Sequence, residues 1–98
     1  MKRLAIIGAS GHGKVVAEIA ELSGWSEIIF FDDAFPEVVS IGVWSVLGNT
    51  VTLLNDVSKF DGCIVAIGNN AIRLEKVMKI QSGRGHLVSL LHPSCIVS

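Results

Sequence analysis

A short apolar run, a glycine-rich stretch and a helix-spaced run follow one another at the start of this chain, and together they leave few folds open. Residues 4–7 (Leu-Ala-Ile-Ile) are apolar without a break. Continuous rather than alternating apolarity belongs to a strand covered on both faces, as at the centre of a parallel sheet. Gly8, Ala9, Ser10, Gly11, His12, Gly13 and Lys14 come next, and Val15, Val16, Ile19, Ala20 and Leu22 then recur at helical spacing. A strand, a glycine turn and a helix in that order bring backbone N–H groups together, with the positive end of the helix dipole behind them. The expected ligand therefore bears phosphate.

The remaining elements extend this start. The spacing predicts a helix over 12–23, stopped by Gly24, and a strand over 28–31 with Asp32 and Asp33 at its carboxyl end. Strand, crossover helix and strand make a right-handed βαβ unit. Between 34 and 49, Pro36 and Gly42 interrupt any pattern, and 43–47 reads as a short extended piece. Gly48 and Asn49 read as a turn, with Asn49 or Thr50 as the cap of a short helix over 52–57 that turns Leu53, Leu54 and Val57 inward. A third strand over 63–67 ends in the turn Gly68, Asn69, Asn70. The helix expected over 70–82 puts Leu74, Val77 and Met78 on its buried face, leaves Arg73, Lys76 and Lys79 in solvent, and ends at Gly83; a fourth strand covers 87–91. The fold class is a small doubly wound α/β domain of about four parallel strands, order 2-1-3-4, with helices on both faces. Ligands of such sheets bind outside the carboxyl ends of the strands where the winding reverses, which places residues 8–13, Asp32, Asp33 and residues 68–70 around one crevice.

Composition removes several functions. Ninety-eight residues, half of them apolar and 17% charged, make one domain with its own core. A mean hydropathy of +0.58 is high, yet no apolar run approaches the roughly 20 residues of a membrane span. The excess apolarity points to surface covered by a partner or by a further part of the protein. Net charge is −1 and there is no basic stripe, so neither nucleic acid nor membrane is an expected partner. Cys63 and Cys95 lie in separate apolar runs without a CxxC pattern, so buried free thiols are expected rather than a disulfide or a metal site. Residues 1–3 lead into too short an apolar run for a signal peptide, and the expected location is cytoplasmic.

The glycine turn admits three ligand readings. A dinucleotide fingerprint needs G-x-G-x-x-G and an acid about 20 residues on; the acid is present, but the glycines run G-x-x-G-x-G. A P-loop needs G-x-x-x-x-G-K followed by Ser or Thr; Gly8 to Lys14 fits, but Val15 stands where the metal-binding hydroxyl belongs. A nucleotide-sugar site needs a diphosphate at the helix N-terminus, which the backbone of 10–13, the Ser10 hydroxyl and the His12 imidazole suit. Asp32 or Asp33 would then accept from ribose or uracil. Each residue also has a purely structural use: a tight connection for the glycines, a helix cap for Ser10, Asn69 or Asn70, a turn cap for either aspartate, and a solvated position for His12, Lys14 and Arg73.

Four separated blocks then resemble a known family. Residues 7–16 (Ile-Gly-Ala-Ser-Gly-His-Gly-Lys-Val-Val), 31–33 (Phe-Asp-Asp), Ala66-Ile67-Gly68-Asn69-Asn70 with Ile72-Arg73, and His92-Pro93-Ser94 with 96–98 are similar, in order and spacing, to the N-terminal domain of the sugar O- and N-acyltransferases of the NeuD and PglD type. The resemblance implies a Rossmann-like domain over 1–92 that binds the acceptor, commonly a UDP-linked amino sugar. It implies that 93–98 begin the connection to a left-handed parallel β-helix that trimerises and binds acetyl-CoA as co-substrate. The catalytic base belongs to that β-helix, so the resemblance assigns no catalytic residue, metal or bound cofactor to these 98 residues. Carried over by position, Ser10, Gly11 and His12, with Gly13, match the turn that holds diphosphate and sugar. Asp32 and Asp33 match the pair that holds uridine, and Gly68, with Asn69, matches the turn lining the same crevice. The implied protein is an acetyltransferase acting on an amino or hydroxyl group of the sugar, this portion binding without catalysing. The alternatives are a stand-alone nucleotide-binding or scaffolding module and an NAD(P)-binding domain.

Overall fold

A computed structural model describes residues 2–88 of the chain. The elements are β1 (Arg3–Ile7), α1 (Gly11–Leu22), β2 (Glu27–Phe31), β3 (Ser40–Ile41), β4 (Trp44–Gly48), α2 (Thr50–Asp56) with a 3₁₀ turn Val57–Lys59, β5 (Gly62–Val65) and α3 (Asn70–Ser82). They build one sheet in the order β3-β4-β2-β1-β5. Every neighbouring pair is parallel except β3 with β4.

β1 sits at the centre because it is apolar on both sides. Alternate side chains of a strand point to opposite faces. Leu4 and Ile6 pack with Val16, Ala17 and Ala20 of α1 and with Phe30. Ala5 and Ile7 face the other way, against Leu53 of α2, Val57, Cys63 and Ile80 of α3. The helices thus cover both faces, and the doubly wound α/β class stands. Full burial of Phe30 contributes about 2–3 kcal/mol, and its ring meets Trp44 with centroids 6.2 Å apart.

The sheet is wider than the sequence pattern predicts. β2, β1 and β5 take the expected 2-1-3 order, but β4 pairs parallel to the outer edge of β2 and β3 folds back onto β4. Gly42 stands at φ +57 between the paired residues Ile41 and Trp44. Glycine with positive φ at the first position of a two-residue connection is a hairpin turn, so the residue that breaks the pattern is the one that makes the hairpin. The expected fourth strand begins at a parallel bridge between Cys63 and Leu87; its remainder, like Cys95 and the His92-Pro93-Ser94 block, lies outside the described residues. Cys63 is buried and free, and burial raises its thiol to about 11.

α3 has the expected bounds but a different buried face. Lys76 and Ile80 are its buried residues, Val77 is half-buried, and Leu74 and Met78 are 59% and 57% exposed. The inward stripe therefore runs through 76 and 80, one turn apart. Lys76, expected in solvent, is drawn in by an acid described below. α2 keeps its expected inward residues Leu53 and Val57, and Asn49 caps it in a reciprocal box with Thr52. No helix among the described residues is long and apolar enough to cross a membrane.

α1 lies close on the sheet because Gly13 has no side chain. A Cβ there would overlap the Gly8 carbonyl oxygen and stand 2.9 Å from Phe30 Cε2. Gly13→Ala is expected to lower unfolding free energy by about 3 kcal/mol or more, the upper range for overpacking, measured by urea denaturation followed by circular dichroism.

Candidate functional site

The strand β1 ends at Ile7, and Gly8 turns the chain at φ +113, where a side chain is strained and a Cβ would stand 2.6 Å from the Ala66 carbonyl oxygen. The Gly8 N–H donates to the Phe31 carbonyl at 2.9 Å. Ser10 then takes the N-cap position of α1 with extended backbone, but its hydroxyl makes no capping hydrogen bond. The first-turn N–H groups of Gly11, His12 and Gly13 have no acceptor upstream within a helix. No acidic side chain occupies this turn. What results is a bare helix N-terminus with a free hydroxyl beside it, oriented to receive an anion.

The two aspartates after β2 do different things. Asp32 accepts from the Ala9 N–H at 2.7 Å through Oδ2 and from the Ala34 N–H at 2.8 Å through Oδ1. It braces the glycine turn against the turn that follows β2. Asp33 faces the other helices. Its Oδ1 accepts from the Thr50 N–H at 2.9 Å, at the first turn of α2, and its Oδ2 accepts from Lys76 Nζ at 2.6 Å. The Lys76 ammonium first, and the Thr50 N–H second, lower the Asp33 carboxyl to about 2.

A cavity of about 360 Å³ opens at the carboxyl ends of β1, β2 and β5, bordered by Gly8, Ser10, Asp32, Asp33, Gly68 and Lys76. A second, more open groove of about 990 Å³ runs between α2 and α3 over Val51, Leu54, Leu74 and Met78, and Asp33 and Lys76 border it too. The smaller cavity lies at the carboxyl ends of the strands, between the glycine turn and the two aspartates, where open α/β sheets take their ligands.

Residues 3–80 match the PglD N-terminal domain family. The chain belongs to that family. It is 31% identical, over its whole length, to UDP-N-acetylbacillosamine N-acetyltransferase of Bacillus subtilis (strain 168), of which it spans 46%. Among solved structures, the acetyltransferase domain of PglB from Neisseria gonorrhoeae FA1090, in complex with acetyl coenzyme A, superposes with a TM-score of 0.83 at 42% identity, covering 94% of this chain and 44% of that one. The H141N mutant of perosamine N-acetyltransferase from Caulobacter crescentus, in complex with CoA and GDP-perosamine, gives 0.85 at 28% identity, covering 100% and 46%. The chain spans a little under half the length of these relatives, and its doubly wound sheet is the Rossmann-like domain expected of this family.

Within this PglD-type domain, Gly8, Ser10, Asp32, Asp33 and Gly68 meet around one cavity. Gly11 and His12 sit exposed at the start of α1, and Gly13 is buried beneath the turn, so neither they nor Asn69 border the cavity. Asn69 caps α3, its side chain accepting from the Ile72 N–H at 3.0 Å. Lys76 was not among the residues expected at the site. No local signal marked it: Ile72, one turn before it, is itself 46% exposed, and its partner acid lies 43 residues away.

Asp33 has a depressed carboxyl in the folded protein, so its contribution to stability is complete above the unfolded value of 3.8 and is lost as pH falls through about 2. Asp33→Asn is expected to cost about 2 kcal/mol near neutral pH, because it leaves the buried Lys76 ammonium without its carboxylate, and less than a fully buried pair would, because Asp33 itself is half exposed and screened. The difference between the two proteins should shrink as pH falls from about 4 toward 2, read from urea unfolding at stepped pH.

Proposed function

We propose that this chain is the acceptor-binding domain of an acetyltransferase that moves acetyl from acetyl-CoA to an amino group of a nucleotide-linked sugar, with UDP as the nucleotide. The observation that carries this reading is the cavity in which Gly8 and Ser10, at the turn into α1, meet Asp32 and Asp33 at the neighbouring strand end, with the uncapped N-terminus of α1 beside it. A diphosphate suits the N–H groups of residues 11–13 and the Ser10 hydroxyl. Ribose hydroxyls or a ring N–H suit the lone pairs left on Asp32 and Asp33. A relative 31% identical to this chain is named for a UDP-linked sugar, which favours uridine as the nucleoside. His12, exposed beside the phosphate position, and Gly68 and Asn69, on the opposite turn, line the way to the sugar.

In the reaction the sugar's amine lone pair attacks the thioester carbonyl, the CoA thiolate departs, and the amine gives up a proton. The base that takes it and the acetyl-CoA site belong to the rest of the whole protein, a left-handed β-helix reached through 93–98. That whole protein is a homotrimer in the cytoplasm, and acetyl-CoA is its co-substrate. This domain binds acceptor, needs no cofactor or metal of its own, and orients the sugar toward the transfer site. The amino acceptor is favoured over a hydroxyl by the relatives, which are N-acetyltransferases.

Heteronuclear NMR titration of the chain with UDP, a UDP-amino sugar, GDP, NAD and Mg-ATP tests the reading. Saturable shifts are expected with the UDP ligands, centred on residues 10–13 and on Asp32 and Asp33. Saturation with NAD or Mg-ATP but not UDP would overturn it. Gly11 supplies a sharper probe, because nothing lies within 4 Å of the Cβ it lacks. Gly11→Val is expected to keep stability within about 1 kcal/mol while weakening UDP binding more than about tenfold, by filling space that the fold itself does not use.

A further inference from the structure

Asp33 and Lys76 stand in the partition between the crevice and the groove between α2 and α3, bordering both. The burial of the pair is lopsided: the Lys76 side chain is 9% exposed and that of Asp33 56%. A buried ammonium is costly unless it is met by an opposite charge. Asp33 Oδ2 meets it at 2.6 Å, and Glu75 Oε1 stands farther off at 3.8 Å. The Asp33 carboxylate is thus gripped at both oxygens, by Lys76 from α3 and by the Thr50 N–H from α2. Each carboxylate oxygen has a second lone pair. A carboxylate held charged and unable to rotate offers only acceptors, so it selects O–H or N–H donors at a fixed place.

We propose that Lys76 is a positioning residue for nucleotide recognition: from behind Asp33 it keeps that carboxylate charged and turned so that its remaining lone pairs meet the donors of a nucleoside in the crevice. The proposal rests on the nucleotide-sugar reading of that crevice. The charged groups around Asp33 are Lys76 and Glu75 from α3 and its chain neighbour Asp32; α2 presents the Thr50 N–H. Asp32 is itself an acceptor-only carboxylate, held by the Ala9 and Ala34 N–H groups, so it cannot take over the grip. With Lys76 gone, Thr50 alone holds Asp33, and the carboxyl returns toward its ordinary range. Below about pH 4 part of Asp33 is then protonated, and nucleotide binding falls there more steeply than in the unsubstituted chain.

The test uses the whole 98-residue chain with Lys76→Met, which keeps a long apolar stem in the buried place, and Lys76→Arg, which restores the cation. Calorimetry measures UDP and GDP binding near pH 7 and near pH 3.5, and the Asp33 carboxyl carbon is titrated by NMR. K76M is expected to bring the Asp33 carboxyl up toward 3.8 from about 2 and to weaken UDP binding about tenfold near neutral pH. That gap should widen toward lower pH in K76M relative to the unsubstituted chain, and K76R should recover to within about threefold of it. Three results overturn the proposal, and they are distinguishable. K76M binding UDP as tightly as the parent at both pH values, with Asp33 shifted, removes the positioning role and leaves the nucleotide site standing. Asp33 titrating alike in parent and K76M removes the electrostatic grip itself. A parent chain that binds neither UDP nor GDP removes the nucleotide reading, and this proposal with it.

Discussion

The approach of α1 to the end of β1 governs the rest of the molecule. Gly8 can turn back on itself at positive φ, and Gly13 can lie against the Gly8 carbonyl, only because neither has a side chain. That contact sets where the first turn of α1 sits, and so where its free N–H groups are aimed. It also lets Val16, Ala17 and Ala20 settle on Leu4, Ile6 and Phe30. One close contact therefore fixes a helix on the sheet and an uncapped helix N-terminus above the strand ends. Asp32 locks the result from the side, tying Ala9 to Ala34 through its two oxygens. The placing of that helix end is a by-product of packing that the fold needs in any case.

Charge at the strand ends is balanced in an uneven way. Two adjacent carboxylates beside a place for phosphate would repel it if both stood free. Asp32 spreads its charge over two backbone N–H groups, and Asp33 shares its charge with a buried ammonium and the first turn of α2. Both stay acceptors toward a ligand while the field they present to its phosphates is reduced. The uncapped end of α1 adds attraction on the phosphate side. The crevice is polarised by design of the backbone as much as by side chains.

How far the sequence could be read follows from which interactions are local. β1, α1, β2 and β5 were legible because each is a run whose own period shows what covers it: continuous apolarity for strands buried on both faces, helical spacing for α1; α3 was legible in its bounds, from its caps, but not in its buried face. The crevice was legible because it is the place where those elements end. The hairpin β3–β4 was not, since its strands are short and its pairing partner is the edge of β2, far away in sequence; Gly42 signalled a break without saying that the chain would return. Lys76 was not legible as buried, because a lysine among charged neighbours reads as solvent-facing until an acid from another element is known to wait for it. Its partner Asp33 lies 43 residues away. Asn69 shows the opposite case, a residue whose local capping use was weighed from the start and is the one seen in the structure.

The glycine spacing itself can now be understood by function rather than by pattern. The G-x-G-x-x-G fingerprint asks one glycine to make the tight turn, one to let backbone come close to a pyrophosphate, and one to let helix and strand pack closely. Here Gly8 makes the turn and Gly13 allows the close packing, each shown by the atoms a Cβ would strike. Gly11 strikes nothing and borders open space, so packing does not account for it. The turn and the packing contact are both present, and the open glycine stands at the fourth residue of the motif rather than the third, with the packing glycine two residues later. A search for the literal order rejects this chain as a phosphate binder of that kind. Sorting the glycines by what each one touches recovers the shared physics, and it separates the residue whose substitution should break the fold from the residue whose substitution should break only the binding.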